Sequence, residues 1–168
     1  MPIPHFLKLL ELERKIERTW DSMPFPPGFW QIGLQLVKQP RHGDYFCTPT
    51  NTRAFAYTGA DGVHYSFLLQ DGQITESSPV IATSPPDAMN SVAGQDLHEF
   101  LCLGCMHGYA CVFEPLYPKR YAQAMEDLDE MQRAILQLLR EELDLKPWHN
   151  PAERYAQLQQ QFKGQLVY

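Results

Sequence analysis

The stretch from Thr52 to Thr83 constrains the fold more than any other part of the chain. Thr52-Arg53-Ala54-Phe55-Ala56-Tyr57 and Val63-His64-Tyr65-Ser66-Phe67-Leu68-Leu69 are strand-length runs rich in aromatic residues, separated only by Thr58-Gly59-Ala60-Asp61-Gly62. Gln70-Asp71-Gly72-Gln73 is a second turn, in which Asp-Gly supplies the positive φ of a tight hairpin. Short runs at Ile74–Thr75 and Val80–Thr83 follow, parted by Ser77-Ser78-Pro79. Runs this close in sequence pair only antiparallel, because a parallel return needs a crossover of about a dozen residues. Ser84-Pro85-Pro86 then reads as the close of the sheet.

Both flanks have helical periodicity. Phe6, Leu9, Leu10, Leu12, Ile16 and Trp20 recur on one face, and Asp21-Ser22-Met23-Pro24 stops that helix ahead of an extended connection, Pro24 to Gly28. Phe29 to Val37 fits a second helix or a strand. Asp96 is placed to cap a helix carrying Leu97, Phe100 and Leu101, with Glu99 in capping-box position and Gly104 as its C-cap. Ala124, Leu128, Met131, Ile135, Leu138, Leu139 and Leu143 form one apolar stripe on a helix from Tyr121 to Leu143, which Lys146-Pro147 ends. A last amphipathic helix runs from Pro151 to Phe162. Strands segregated from helices indicate the α+β class: an antiparallel sheet of short hairpin-linked strands, flanked by helices, with a C-terminal pair of helices. The division read from the pattern is an α+β domain over residues 1–118 and a helical extension, residues 119–168, packed on it.

Charge narrows the partners. Between Arg41 and Pro118 two basic residues, Arg41 and Arg53, stand against eight acidic ones, a difference of six that accounts for the whole formal net charge of -6. Duplex nucleic acid is repelled by such a surface, whereas a basic protein suits it. A hydrophobic fraction of 44% with 9 Phe, 8 Tyr and 3 Trp is enough to build a core. No run of about 18 apolar residues is present, so no membrane span is expected. Met1-Pro2-Ile3-Pro4-His5-Phe6 has no basic segment leading into an apolar one, so no secretory leader is expected either. Three of the four cysteines, Cys102, Cys105 and Cys111, crowd together away from Cys47, a poor layout for a secreted disulfide framework. These features predict a cytoplasmic protein with reduced thiols and no cofactor.

Several segments invite a chemical reading. Cys102, Cys105, His107 and Cys111 are four soft ligands of the types that hold Zn²⁺, but Cys102 sits between Leu101 and Leu103 on a helix, where a buried thiol behaves as a small hydrophobe. Packing is therefore expected there, with a metal site or a thiol-dependent enzyme as the alternative. His107 and His98 lie close in sequence to Cys105 and Cys102 as bases that could activate a thiol, and His98 and Cys102 also share a helix face four residues apart. Asp61 and His64 could be a catalytic pair, but Gly59 and Gly62 make the segment a turn, with Asp61 bonded to its own backbone and His64 opening a strand. Gly59-x-x-Gly62 lacks the Lys-Ser/Thr ending of a phosphate loop. Glu126, Asp127, Asp129 and Glu130 read as the acidic start of a helix, favoured by its dipole, with a toxin-binding surface as the alternative. Glu141, Glu142 and Asp144, at the end the dipole disfavours, read as a solvated face with a partner role as the alternative.

The order Phe55-Ala56-x-Thr58-Gly59-x-Asp61-Gly62-Val63-His64-Tyr65-x-Phe67-Leu68, then Asp71-Gly72-x-Ile74, Ser78-Pro79-Val80 and Leu97-x-Glu99-Phe100-Leu101, resembles the SMI1/KNR4 superfamily, also called SUKH. The resemblance spans Leu12 to Tyr117 and would make residues 1–118 a domain of that type. It implies an α+β sheet flanked by helices and a role in protein binding. In bacteria such proteins are commonly immunity proteins that neutralise toxins, and in fungi a member regulates cell-wall synthesis. The expectation is a non-enzymatic module whose acidic face, Asp61, Asp71, Glu76 and Asp87, docks a basic protein such as a toxin. A homodimer through the C-terminal helical stripe is a further expected mode of association.

Overall fold

The computed structural model describes residues 3–19 and 27–168. Helix α1, Pro4–Thr19, buries Phe6, Leu9, Leu10, Leu12 and Ile16, the face that the periodicity marks. Trp20, the stop at Asp21–Pro24 and the connection as far as Pro26 lie outside the described residues. The segment read as helix or strand is both in turn. Phe29–Ile32 makes one 3₁₀ turn, Gly33 reverses the chain at φ +72°, and β1 follows at Gln35–Arg41.

Strands β2 (Thr52–Tyr57), β3 (His64–Leu68), β4 (Val80–Ser84) and β5 (Met89–Gly94) complete a five-stranded sheet in the order β1-β2-β3-β4-β5, antiparallel throughout. Two expectations about its later part are corrected. Ile74–Thr75 is not a strand: an isolated bridge, Gln70 to Gln73, closes the turn, and the Thr75 amide donates to Ser78 Oγ at 2.9 Å. Ser84-Pro85-Pro86 does not close the sheet but starts the hairpin into β5, with the Ala88 amide on the Pro85 carbonyl at 3.1 Å. A proline fixes φ equally well for a turn and for an exit, and Met89-Asn90-Ser91 has little strand character of its own.

The sheet is covered on both faces. Toward α1 and helix α2 (Leu97–Gly104), Phe55 and Phe67 stack at 4.4 Å, Phe6 meets both edge-on, and Phe100 packs edge-on against Phe55. Rings in these arrangements add to the free energy of area burial. On the opposite face Leu68, Ile81 and Val92 pack with Leu158 of α5 (Pro151–Gln161).

The helix expected over Tyr121–Leu143 is two. Helix α3 spans Pro118–Glu126 and α4 Glu130–Leu143, because Asp129 and Gln132 form a reciprocal capping box, at 2.7 and 2.9 Å. The acidic run thus ends one helix and caps the next. Ile135, Leu136, Leu139 and Leu143 enter the main core, so the apolar stripe offered for self-association faces the chain's own interior. Residues 119–168 also finish the sheet. The Gln159 side chain donates to the Val92 carbonyl at 2.8 Å and accepts its amide at 3.0 Å, occupying the edge of β5 as a neighbouring strand would. Arg154 forks onto the Glu99 carboxylate at 2.6 and 3.1 Å, tying α5 to α2. No helix among the described residues is long and apolar enough to cross a membrane.

Candidate functional site

The segment with the richest chemistry is the best enclosed. Asp96 caps α2 through the Glu99 amide at 2.8 Å, while the Glu99 carboxylate reaches the Gln95 amide at 2.7 Å and not that of Asp96, so the capping box is only half formed. Gly104 is the last residue of the helix and Cys105 is its C-cap. A Cβ there would lie 2.4 Å from the Tyr109 ring, and the chain reverses instead at Gly108, φ +89°. Tyr109 is fully buried, its hydroxyl donating to the Leu101 carbonyl at 2.7 Å and its amide to that of Ile32 at 2.6 Å.

This loop separates the candidate ligands. Cys105 is buried in the core, and burial pushes its thiol up to about 12. His107 Nε2 donates to the Cys111 carbonyl at 3.2 Å, Nδ1 has no partner among the described residues, and burial holds the ring down to about 4. Cys111 is exposed. Among the described residues no three His, Cys, Asp or Glu side chains converge on a point that could hold a metal ion. The pairing of Cys102 with His98 does form, Sγ to Nδ1 at 3.8 Å, with His98 Nε2 on the Leu143 carbonyl at 3.1 Å. Burial nevertheless raises the Cys102 thiol, and the carboxylates of Glu99, Asp96 and Asp144 raise it further. A reactive thiolate needs the opposite surroundings.

The Asp61–His64 pair does not form either. His64 Nδ1 donates to the Gly62 carbonyl at 2.8 Å and Nε2 faces the Thr48 hydroxyl at 3.2 Å, and burial lowers the pKa of the ring. The turn is tied by Thr58, whose hydroxyl bonds the Ala60 carbonyl at 3.1 Å and its amide at 3.3 Å. Among the described residues the Asp61 carboxylate makes no hydrogen bond or ion pair, and the backbone bond expected of it is absent.

The four residues of the expected acidic face are divided between the two ends of the sheet. Asp71 and Glu76 stand in the β3–β4 connection, where Glu76 pairs with His5. Asp61 and Asp87 stand in the β2–β3 and β4–β5 turns, a strand length of about 17 Å away. The second pair borders a built site. A groove of about 530 Å³ opens there, walled by Tyr65, Val112, Phe113 and Met89, with Asp61, Asp87 and Glu114 among its polar groups. Tyr117 also lines it, with the Arg120 guanidinium 5.2 Å from the centre of its ring. A larger cleft of about 860 Å³ between α1 and the end of α4 is lined by Lys8, Arg14, Lys15 and Arg18 with Glu11 and Glu142. Its walls are long solvated side chains, whereas the smaller groove rests on buried residues and is the better preformed.

Beside the same turns lies a set of exposed rings. Tyr45 stacks on His64 at 5.5 Å, over Gly62, where a Cβ would meet the Tyr45 ring at 2.5 Å. Phe46 is 82% exposed and Tyr168 74%. Asn90 Nδ2 donates to both the Cys47 carbonyl, at 2.8 Å, and the Tyr168 hydroxyl, at 3.3 Å, which brings loop and C-terminal tail together. Sequence reasoning missed Tyr45, Phe46, Met89, Tyr117 and Arg120. The signal available was Tyr45-Phe46 set among turn formers, Gly43, Asp44 and Pro49, in a segment with no strand or helix period to bury them. Compared with protein-family models, with curated proteins and with solved structures, the chain matches none.

Proposed function

We propose that this chain is a SUKH-type protein-binding module of the cytoplasm that occludes a basic protein partner, in the manner of bacterial immunity proteins. The observation that carries the reading is the turn end of the sheet. Asp61, without a partner among the described residues, and Asp87 line a ring-walled groove, and the Tyr45 ring lies over Gly62 in the turn of Asp61, next to the exposed Phe46. Tyr, Phe and Met at the centre of a patch, with charge at its rim, is the composition of binding hot spots. The hairpin order of β2, β3 and β4 and the helix carrying Glu99-Phe100-Leu101 accord with the resemblance that suggested the family. For a metal or thiol centre at Cys102–Cys111, the described residues offer no convergent ligand set, and burial raises the Cys102 thiol.

The test is co-expression with the product of the adjacent reading frame in the source genome. A stoichiometric complex is expected, weakened by salt because charge steers the encounter. Phe46→Ser with Met89→Ser should loosen it about tenfold or more. A complex indifferent to salt and to both substitutions would overturn the reading, as would the absence of any complex.

A further inference from the structure

We infer that the groove at the turn end receives one cationic side chain of the partner, an arginine in preference to a lysine. The inference rests on the protein-binding reading above and names the chemistry of what is bound.

The groove is apolar in its walls and acidic in its rim. Val112 and Tyr65 are buried beneath it, Phe113 is half-buried, and Met89 and Tyr117 are 46% and 54% exposed at its mouth. The two turns that carry Asp61 and Asp87 are two strand spacings apart, roughly 10 Å, so a planar guanidinium between them can face a carboxylate on each side. An ammonium is a compact, strongly hydrated charge without the planar fork that reaches to both sides, so it spans the gap less well. Among the described residues, three carboxylates, Asp61, Asp87 and Glu114, share the groove with one cation, Arg120. One oxygen of Glu114, Oε2, is shut from solvent without a hydrogen-bond partner among the described residues.

The chain's own Arg120 shows that the site accommodates this group. Its guanidinium lies over the Tyr117 ring, the contact that cations make with aromatic faces. Arg120 is exposed and forms no ion pair among the described residues, so an incoming arginine displaces it toward water at small cost. The apolar walls then take up the methylene stem of the incoming side chain.

The experiment uses the full chain, isotopically labelled, titrated with N-acetyl-arginine amide, its lysine counterpart and the uncharged isostere N-acetyl-citrulline amide. The arginine compound is expected to shift amide signals of residues 58–63, 84–89 and 110–120 saturably. The lysine compound should bind more weakly and citrulline should not bind. Asp61→Asn with Asp87→Asn should weaken arginine binding about tenfold, and Arg120→Gln should tighten it about two- to threefold. Equal response to citrulline, lysine binding as tight as arginine, shifts elsewhere, or an unaffected double variant would each overturn the inference. If the arginine arm fails while the adjacent gene product still binds, the inference falls and the protein-binding reading stands. If arginine binds and no protein partner forms a complex, the reading falls and the groove's preference stands.

Discussion

The segment from Leu97 to Cys111 and the pair of turns at Asp61 and Asp87 make opposite use of their residues. The first holds thiols and imidazoles, the side chains best suited to catalysis and metal binding, and encloses most of them. Cys102 and Cys105 are packed as apolar groups, and His107 is kept neutral by the same burial that leaves its Nδ1 unpartnered. The second holds ordinary carboxylates and places them at an open groove beside exposed rings. Residue type sets what a side chain could do, and solvent access decides whether it does so.

The comparison can be broken most sharply at Phe100, which joins α2 to the rings of Phe55, Tyr65 and Tyr109. Phe100→Ala should cost about 3–5 kcal/mol in denaturant unfolding. A loss below about 1 kcal/mol would remove this helix from the core. Thiol labelling comes next. In the native protein Cys111 should react quickly, and Cys47, Cys102 and Cys105 at least about a hundredfold more slowly, since they need an opening of the fold. Rapid labelling of Cys102 in a Cys111→Ser variant would restore the Cys102–His98 pair as a reactive centre.

A smaller effect should appear in the pH dependence of stability. His107 has a folded pKa of about 4 against an ordinary 6.5, so the unfolded chain binds the extra proton between these values. Its contribution is fully present above pH 6.5 and is lost as pH falls toward about 4. Between pH 6.5 and about pH 5 the loss should be about 1.5 kcal/mol, and His107→Gln should flatten that slope. An unchanged slope in the variant would mean that the ring is open to water. The smallest effect belongs to the turns. Asp61→Asn with Asp87→Asn should change stability by no more than about 0.5 kcal/mol, since asparagine also tolerates the positive φ of 52° at position 61. A larger loss would make these carboxylates part of the scaffold and not of the binding face.

Much of the scaffold was legible. The turn at Thr58–Gly62, the first-helix face from Phe6 to Ile16 and the Asp96 cap all follow from residues within a few positions of one another. β5 was missed because Met89-Asn90-Ser91 becomes a strand only when β4 pairs on one side and Gln159 satisfies Val92 on the other. The long helix was read through Asp127–Asp129 because the apolar stripe continues across the break while a local cap interrupts the backbone. Of the acidic face, the sequence named Asp61 and Asp87 but grouped them with Asp71 and Glu76. The sign of a charge can be read directly, whereas its end of the sheet depends on how many strands intervene.

Local chemistry therefore determined the antiparallel hairpins, most helix boundaries and the acidity of the middle of the chain, because spacing and turn geometry act over a few residues. Folding decided which of those residues meet water and one another. It buried Cys102 and left Cys111 exposed, brought Tyr117 and Arg120 to the groove of Asp61 and Asp87, and set Tyr168 beside the loop of Phe46. Burial and proximity are sums over contacts between distant parts of the chain, and only a packed structure contains those contacts.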